Sequence, residues 1–373
     1  MIASGASRLF GVRKALAALA AATVFAGLVA PTPAGAEPAD ATPRPFAGAG
    51  ETGVVGMGTG QDVAARRSQP PSPTDGPGGF LFRRDRFTPL AAVPGAGPQL
   101  HYAINDRRDI AGFYVDAGAE LGPDGFYPPD AVHGFVRDRR GHVTSFDVPD
   151  GTNPVPQGID DRGRVAGIYL DADLVQTGFV RDRTGDVTSI ALSAIGTKVR
   201  DINDRGQVVG IFGEPAGNDV GYVVRSFRRD RDGTVDDVDI PGAGETSPYA
   251  IDDGGRIVGS YTDAGVTTGT DEGYPPGTLH GYIQDRNRVT TLDAPGSVAT
   301  VALDVNDWGQ VVGGYIDATG RQHGFLYDHG RYTTIDAPRP LDPMAMGSIA
   351  TGINDRGDIV VPEPAIALVP PRG

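Results

Sequence analysis

The chain has 373 residues with 55 Gly, 31 Pro, no Cys and a formal net charge of −14 at pH 7. So many turn-forming residues exclude a helical bundle, and the missing cysteines exclude disulfide scaffolds, thiol catalysis, iron–sulfur clusters and Cys-ligated zinc. The acidic balance argues against a nucleic-acid partner, which needs clustered Lys and Arg. A soluble, turn-dense, all-β protein remains.

Residues 1–36 read as a signal peptide. Arg8, Arg13 and Lys14 precede an apolar run from Ala15 to Ala30 that is too short to span a bilayer comfortably, and Ala34-Gly35-Ala36 supplies a small-residue cleavage site. The mature chain is therefore expected to start at Glu37 and to be secreted and extracellular. Residues 37–77 are rich in Pro, Gly, Ala, Thr and Ser, without an apolar period that would offset the entropy of ordering, and read as a disordered linker. Gly48-Ala49-Gly50-Glu51-Thr52-Gly53 matches a dinucleotide fingerprint in form only, because neither a strand nor an amphipathic helix flanks it.

Residues 78–373 form the repeat domain. An Asn/Asp-Asp pair recurs at Asn105-Asp106, Asp160-Asp161, Asn203-Asp204, Asp252-Asp253, Asn306-Asp307 and Asn354-Asp355. In the same phase an aromatic recurs at Phe80, Phe135, Phe179, Phe227, Tyr282 and Phe325. Six units of about 48 residues predict a propeller, a solenoid or an array. Each unit reads as four short strands. In the second, these are Gly134 to Arg137, Val143 to Val148, a short piece around Gly158-Ile159, and Arg164 to Tyr169.

The Asn/Asp-Asp-x-Gly turn starts with a side chain that bonds its own backbone and ends on Gly163, Gly206, Gly255, Gly309 or Gly357, where a left-handed residue is needed. Arg108 stands there in the first copy, so that turn must differ or be strained. The last strand of each unit is apolar with a small centre, as in Val208-Val209-Gly210-Ile211-Phe212, which suggests close approach of a neighbouring sheet. Radial stacking of such sheets predicts a six-bladed β-propeller. Insertions at Gly125 to Pro129 and Gly273 to Pro276 would lie on opposite sides of the ring.

His133-Gly134-Phe135, His280-Gly281-Tyr282 and His323-Gly324-Phe325, the Ile-Asn-Asp-x-Gly turns from Ile202 and Ile353, and the Thr-Thr-Leu/Ile-Asp-Ala-Pro runs from Thr290 and Thr333 resemble the HAF family of bacterial extracellular repeats. The resemblance covers Gly78 to Val361. It implies an exported repeat protein and brings no established activity or catalytic residues. Copies three and four lack the leading His, with Thr177 and Ser226 near its place.

The sequence contains no nucleophile elbow, His-Glu-x-x-His, P-loop or calcium-loop motif. Three groups of residues stand out. Asp116, Asp171, Glu214, Asp263 and Asp317 follow the last strands and would form a ring of oxygen ligands suited to Ca²⁺; no other cofactor is expected. The plainer alternative is that each starts a turn. His133 and His280 would face each other across six-fold symmetry as a metal or acid/base pair, or else each pins a strand. Phe126, Tyr127, Tyr274 and Trp308, the only Trp, are read as loop aromatics that stack on a ligand or else pack on neighbouring prolines.

The acidic run Asp230 to Asp239, interleaved with arginines, reads as a solvated hairpin tip. Val361-Pro362-Glu363-Pro364 resembles the opening of an exosortase-type sorting signal, but no membrane-length helix or basic cluster follows, so membrane anchoring is not expected. Ala365 to Val369 is expected to add a strand that closes the ring.

The expected protein is a monomeric, secreted binding or scaffold module for an extracellular glycan or protein ligand or another envelope component, without nucleic acid. The ligand-binding residues would be Phe126, Tyr127, Tyr274, Trp308, His133 and His280. The alternative is a polysaccharide lyase or hydrolase with its site in the central channel.

Overall fold

The computed structural model describes residues 79–120, 127–215, 222–266, 275–337 and 347–362. The expected signal peptide, the linker, Phe126, Tyr274 and the strand from Ala365 to Val369 lie outside the described residues.

The chain is an all-β, six-bladed propeller whose sheets are antiparallel and four-stranded. Blade 1 holds β3 (Ala96–Ile104), β4 (Ile110–Asp116), β5 (Val132–Arg137) and β6 (Val143–Phe146). Blade 2 holds β7 (Gly151–Ile159), β8 (Val165–Asp171), β9 (Gln176–Arg181) and β10 (Val187–Ile190). Blade 3 holds β11 (Thr197–Ile202), β12 (Val208–Pro215), β13 (Tyr222–Arg229) and β14 (Val235–Asp237). Blade 4 holds β15 (Thr246–Ile251), β16 (Ile257–Thr262), β17 (Leu279–Asp285) and β18 (Arg288–Leu292). Blade 5 holds β19 (Ser297–Val305), β20 (Val311–Asp317), β21 (Gln322–Asp328) and β22 (Arg331–Ile335). In blade 6, β23 (Gly352–Ile353) and β24 (Ile359–Pro362) join β1 (Gly79–Arg83) and β2 (Arg86–Leu90).

The first strands β3, β7, β11, β15, β19 and β23 touch one another in a closed cycle and so line the axis. The ring closes by pairing β24 with β1, with Val361 opposite Phe80 and Ile359 opposite Phe82. Each blade is therefore shifted by two strands from the unit read in the sequence: β5 and β6 belong to blade 1, and β7 and β8, which follow them in the repeat, belong to blade 2. The insertions accordingly lie inside blades 1 and 4, between the second and third strands, and these two blades are opposite each other in the ring order. The strand expected only around Gly158-Ile159 spans nine residues and tolerates Pro154 and Pro156, because an innermost strand has one edge without a partner.

Small residues at the centre of the second strand serve a different purpose from the one expected. The first strand carries a bulge in blades 1 to 5, and Gly112, Gly167, Gly210, Gly259 and Gly313 sit opposite it. A Cβ on Gly210 would collide with the carbonyl oxygen of Lys198, and the other four glycines meet the equivalent carbonyl, of Leu100, Val155, Ser247 or Val301, in the first strand of their own blade. The close approach is thus within one sheet, not between sheets. The recurring aromatics Phe135, Phe179, Phe227, Tyr282 and Phe325 are completely buried beside these glycines. Burying rings of this size dominates the energetics of each blade. Of the acidic run, Asp230 and Asp232 form the hairpin turn between β13 and β14, while Asp236 and Asp237 lie on β14 itself.

Candidate functional site

Turns joining the first and second strands of a blade, and those joining the third and fourth, lie at one end of the ring. Loops joining the second and third strands lie at the other. The turn end and the loop end differ in chemistry.

At the loop end, His133, His280 and His323 sit at the start of the third strand in blades 1, 4 and 5. Each is a stitch within its own blade. His133 Nδ1 is 2.8 Å from Asp147 and its Nε2 3.5 Å from Asp116, while its ring lies on Tyr114 with centroids 5.2 Å apart. His280 repeats this with Asp293, Asp263 and Tyr261, and His323 with Asp336, Asp317 and Tyr315. Burial alone would lower the His133 pKa, but its hydrogen bonds to Asp147 and Asp116 and their charges outweigh that and hold it above the usual value.

The expected His133–His280 pair across the ring does not form, because the third strand is two strands removed from the axis and each imidazole is taken by acids of its own sheet. Strand register places Thr177 and Arg225, not Ser226, at the position of the missing histidines. Arg225 Nε there donates to Glu214. The five acids read as a possible cation ring are used as local caps and partners. Asp171 and Asp317 accept backbone N–H groups of their own turns, Asp116 and Asp263 face histidines, and Glu214 pairs with Arg225. Among the described residues no group of three or more acidic or His side chains could hold a metal ion.

Tyr127, expected as an exposed ligand contact, is 5% exposed and packs in one apolar cluster with Ala131 and Val132. A short 3-10 turn (Pro129–Ala131) carries the chain from Tyr127 into β5.

The axis is filled. Leu100, Tyr102, Val155, Tyr249, Val301, Leu303 and Ile349, from the innermost segments of five blades, share a buried cluster. Blade 3 contributes Lys198 and Arg200 instead, 2% and 5% exposed, with the Arg200 guanidinium 4.0 Å from the Tyr249 ring centroid. Burial, aided by the charge of Arg200, lowers the Lys198 pKa to about 7.

At the turn end the second residue of each Asn/Asp-Asp pair makes a cyclic chain of hydrogen bonds. The backbone N–H of Asp106 donates to the Asp161 carboxylate, Asp161 to Asp204, and Asp204 to Asp253. Asp253 then donates to Asp307, Asp307 to Asp355, and Asp355 back to Asp106. All six bonds measure 2.8–2.9 Å, and each joins one blade to the next. Such bonds contribute about 0.5–1.5 kcal/mol each where water can compete. Burial raises the Asp161 pKa to about 6, with the charges of Asp106 and Asp204 adding to it.

The first residue of the pair adds a second link. Asn105, Asn203, Asn306 and Asn354 donate their side-chain amides to carbonyl groups of the following blade. A carboxylate at that position cannot donate, so where Asp160 and Asp252 replace Asn, an arginine four residues later does it: Arg164 reaches Asn203 O and Asp204 O, and Arg256 reaches Asp307 O. This covariation, Asp with Arg against Asn with Asp109, Gln207, Gln310 or Asp358, is visible in the repeat alignment and marks a residue set that turn chemistry alone did not single out.

The turn-closing glycines have φ between +69° and +86°. Arg108 adopts the same left-handed conformation at φ 63°, so the first turn is conserved in shape and strained. Its guanidinium binds Asp358, which is fully buried and also pairs with Arg83 of β1. Asp358 thus ties the C-terminal strands to the N-terminal ones and to blade 1.

Trp308 takes the third turn position in blade 5, where Arg356, Arg107, Arg162 and Arg205 stand in blades 6, 1, 2 and 3. It is 64% exposed, and its indole N–H donates to Asp355 O at 2.9 Å. A cavity of about 480 Å³ opens at the same end of the ring, lined by Arg107, Arg108, Arg139, Arg140, Arg183 and Arg356 with Asp106, Asp109 and Asp138. Trp308 therefore lies at the opposite end from Tyr127 and the histidines with which it was grouped. The sequence reading missed the arginines because they belong to three different blades.

No family model matches the chain, and no curated protein matches it. Several solved structures resemble it. Virginiamycin B lyase from Staphylococcus aureus is 11% identical with a TM-score of 0.36, over 71% of this chain and 94% of that one. The acylaminoacyl peptidase of Pyrococcus horikoshii is 12% identical with a TM-score of 0.44, over 73% of this chain and 46% of that one. TolB from Acinetobacter baumannii is 11% identical with a TM-score of 0.43, over 69% and 64%. The six four-stranded blades themselves make the class that of the β-propellers.

Proposed function

We propose that the protein is a secreted, monomeric propeller of the HAF repeat type that acts as a non-catalytic binding module for an extracellular glycan or envelope component. The observation that carries this reading is Trp308. Its indole is held by its own N–H bond to the next blade, yet most of its surface faces solvent. A rigid, amphipathic ring displayed in this way is a contact surface at low entropic cost. Two further facts support a binding role over catalysis: the histidines are committed within their blades, and the axial side chains pack together.

The test uses the fact that the chain has one Trp. Titrating the mature protein with a panel of neutral and acidic glycans should shift or quench Trp emission for at least one member, and Trp308→Ala should abolish binding of that member by calorimetry with the melting temperature retained. Glycans that bind without moving the emission, with the Ala variant binding equally well, would contradict the role of Trp308.

A further inference from the structure

The turn end carries a concentration of positive charge that runs against the rest of the chain. Six guanidinia and three carboxylates line one cavity in a protein of formal net charge −14. The acids there are spent on local bonds. Asp106 accepts the Asp355 amide, Asp109 pairs with Arg107, and Asp138 caps the turn of Arg140 and His142. Three of the arginines are likewise engaged, Arg107 by Asp109, Arg108 by Asp358, and Arg356 by Asp106 O. Arg139, Arg140 and Arg183 are exposed, and no acidic side chain among the described residues lies within ion-pair distance of them. They come from the outer turns of two adjacent blades. Guanidinium forks match carboxylate, sulfate and phosphate oxygens in pairs. The cavity volume lies within the range of about 300–1,000 Å³ usual for small-ligand sites.

Trp308 does not line the cavity but is joined to it by a track of contacts between successive turns. The indole leans on Asp355 of blade 6, the next residue Arg356 leans on Asp106 of blade 1, and the next residue Arg107 reaches blade 2, where a Cβ on Gly163 would meet its Nη2 at 2.7 Å and Arg183 Cγ at 3.0 Å. Each residue of this track rests on the backbone of the following turn, so the ring-to-ring hydrogen bonds also fix the spacing of the surface groups. An aromatic platform two turns away from unpaired guanidinia, on the same end of the ring, suits an extended polymer that alternates flat sugar faces with anionic groups. The exposed indole of the track favours a polymer with free flat sugar faces over a duplex whose bases are stacked away from the protein.

We infer that the turn end of blades 5, 6, 1 and 2 binds an acidic glycan, with Trp308 stacking on a sugar ring and Arg139, Arg140 and Arg183 taking its anionic substituents. This rests on the reading of the protein as a glycan-binding module and adds the site and the charge class.

The experiment is calorimetric and Trp-emission titration of the full mature chain with four probes: polygalacturonate, its methyl-esterified form, dextran sulfate and double-stranded DNA. Polygalacturonate or dextran sulfate should bind and weaken as salt is raised, and which of them binds identifies carboxylate or sulfate as the group read. The Arg139→Gln/Arg140→Gln/Arg183→Gln variant should keep the melting temperature and lose about tenfold or more in affinity, the scale of arginine contacts at interface centres. Equal binding of the methyl ester and free acid, unchanged in the triple variant, would overturn the acidic-glycan inference while leaving a glycan-binding module intact. DNA binding stronger than either acidic glycan would overturn the ligand class. Absence of any response to all four probes would overturn the inference, and with a silent neutral panel would overturn the module reading as well.

Discussion

At the turn end the recurring aspartates tie each blade to its neighbour, whereas at the loop end the recurring histidines tie a blade to itself. The aspartates of the turn end reach backbone amides of the following blade, and the cycle closes through Asp355 and Asp106. The histidines of the loop end bond acids of their own sheet. The difference teaches that similar polar residues, repeated around one ring, can be either joints between units or local stitches, depending on whether their strand lines the axis. It also explains why departures from the repeat are tolerated unevenly. Blades 2 and 3 do without His altogether, with Thr177 and Arg225 in its place, while every turn retains the linking Asp.

Breaking a joint should therefore cost more than breaking a stitch. The largest effect is expected at Asp358, the buried acid bound by Arg83 and Arg108 where the two chain ends meet. Asp358→Asn should lower unfolding free energy by about 2–3 kcal/mol, the scale of charged hydrogen bonds, as read by urea denaturation. An unchanged midpoint would remove Asp358 from the closure.

Asp161 sharpens the comparison from the opposite side. Its folded-state pKa near 6 exceeds the ordinary 3.8, so between these values the folded protein holds a proton that the unfolded chain has released. Stability from this group is thus greatest below the lower value and falls as pH rises through about 6. Asp161→Asn keeps an oxygen to accept the Asp106 amide and removes the charge. It should raise stability at neutral pH by about 1 kcal/mol, after allowance for screening of a half-exposed group, and flatten the pH dependence. A melting curve with the same pH dependence as the parent would contradict the assignment.

The smallest effect belongs to the loop end. His133→Ala should cost well under 1 kcal/mol, because an imidazole–carboxylate pair near the surface contributes little. Its sign with pH is the reverse of the turn-end acid. With its folded pKa raised, His133 stabilises fully below the ordinary imidazole value of 6.5, and the contribution is lost as pH rises through the folded value above it. Thermal melts of parent and variant should converge at alkaline pH, and a gap that widens there would contradict the pairing.

Much of this architecture was legible in the residues. Six Asn/Asp-Asp pairs and six aromatics in phase counted the blades, and the positive φ at Gly163, Gly206, Gly255, Gly309 and Gly357 is what the turn chemistry requires. The phase of the blades was not legible, because covalent order runs from β5 through β8 without marking that the step from β6 to β7 crosses from one sheet to the next. The insertion before β5 looked like a boundary between units for the same reason, although it lies within a blade. The candidate site was legible only at Trp308, whose uniqueness and turn position gave it away. Tyr127 failed as a surface residue because a loop aromatic next to prolines can fold back on the core, which depends on contacts distant in sequence. The arginine cavity was invisible because Arg183, Arg139 and Arg356 meet only when the ring closes.

Native-state hydrogen exchange is the most direct test of the joint-and-stitch account. The backbone amides of Asp106, Asp161, Asp204, Asp253, Asp307 and Asp355 lie in surface turns, yet each donates to a carboxylate of the next blade. They should exchange slowly and together, by the same opening that separates the blades, while loop-end turn amides such as those of Asp173 and Thr319 exchange much faster by local fraying. Six turn-end amides exchanging as fast and as independently as the loop-end ones would contradict it.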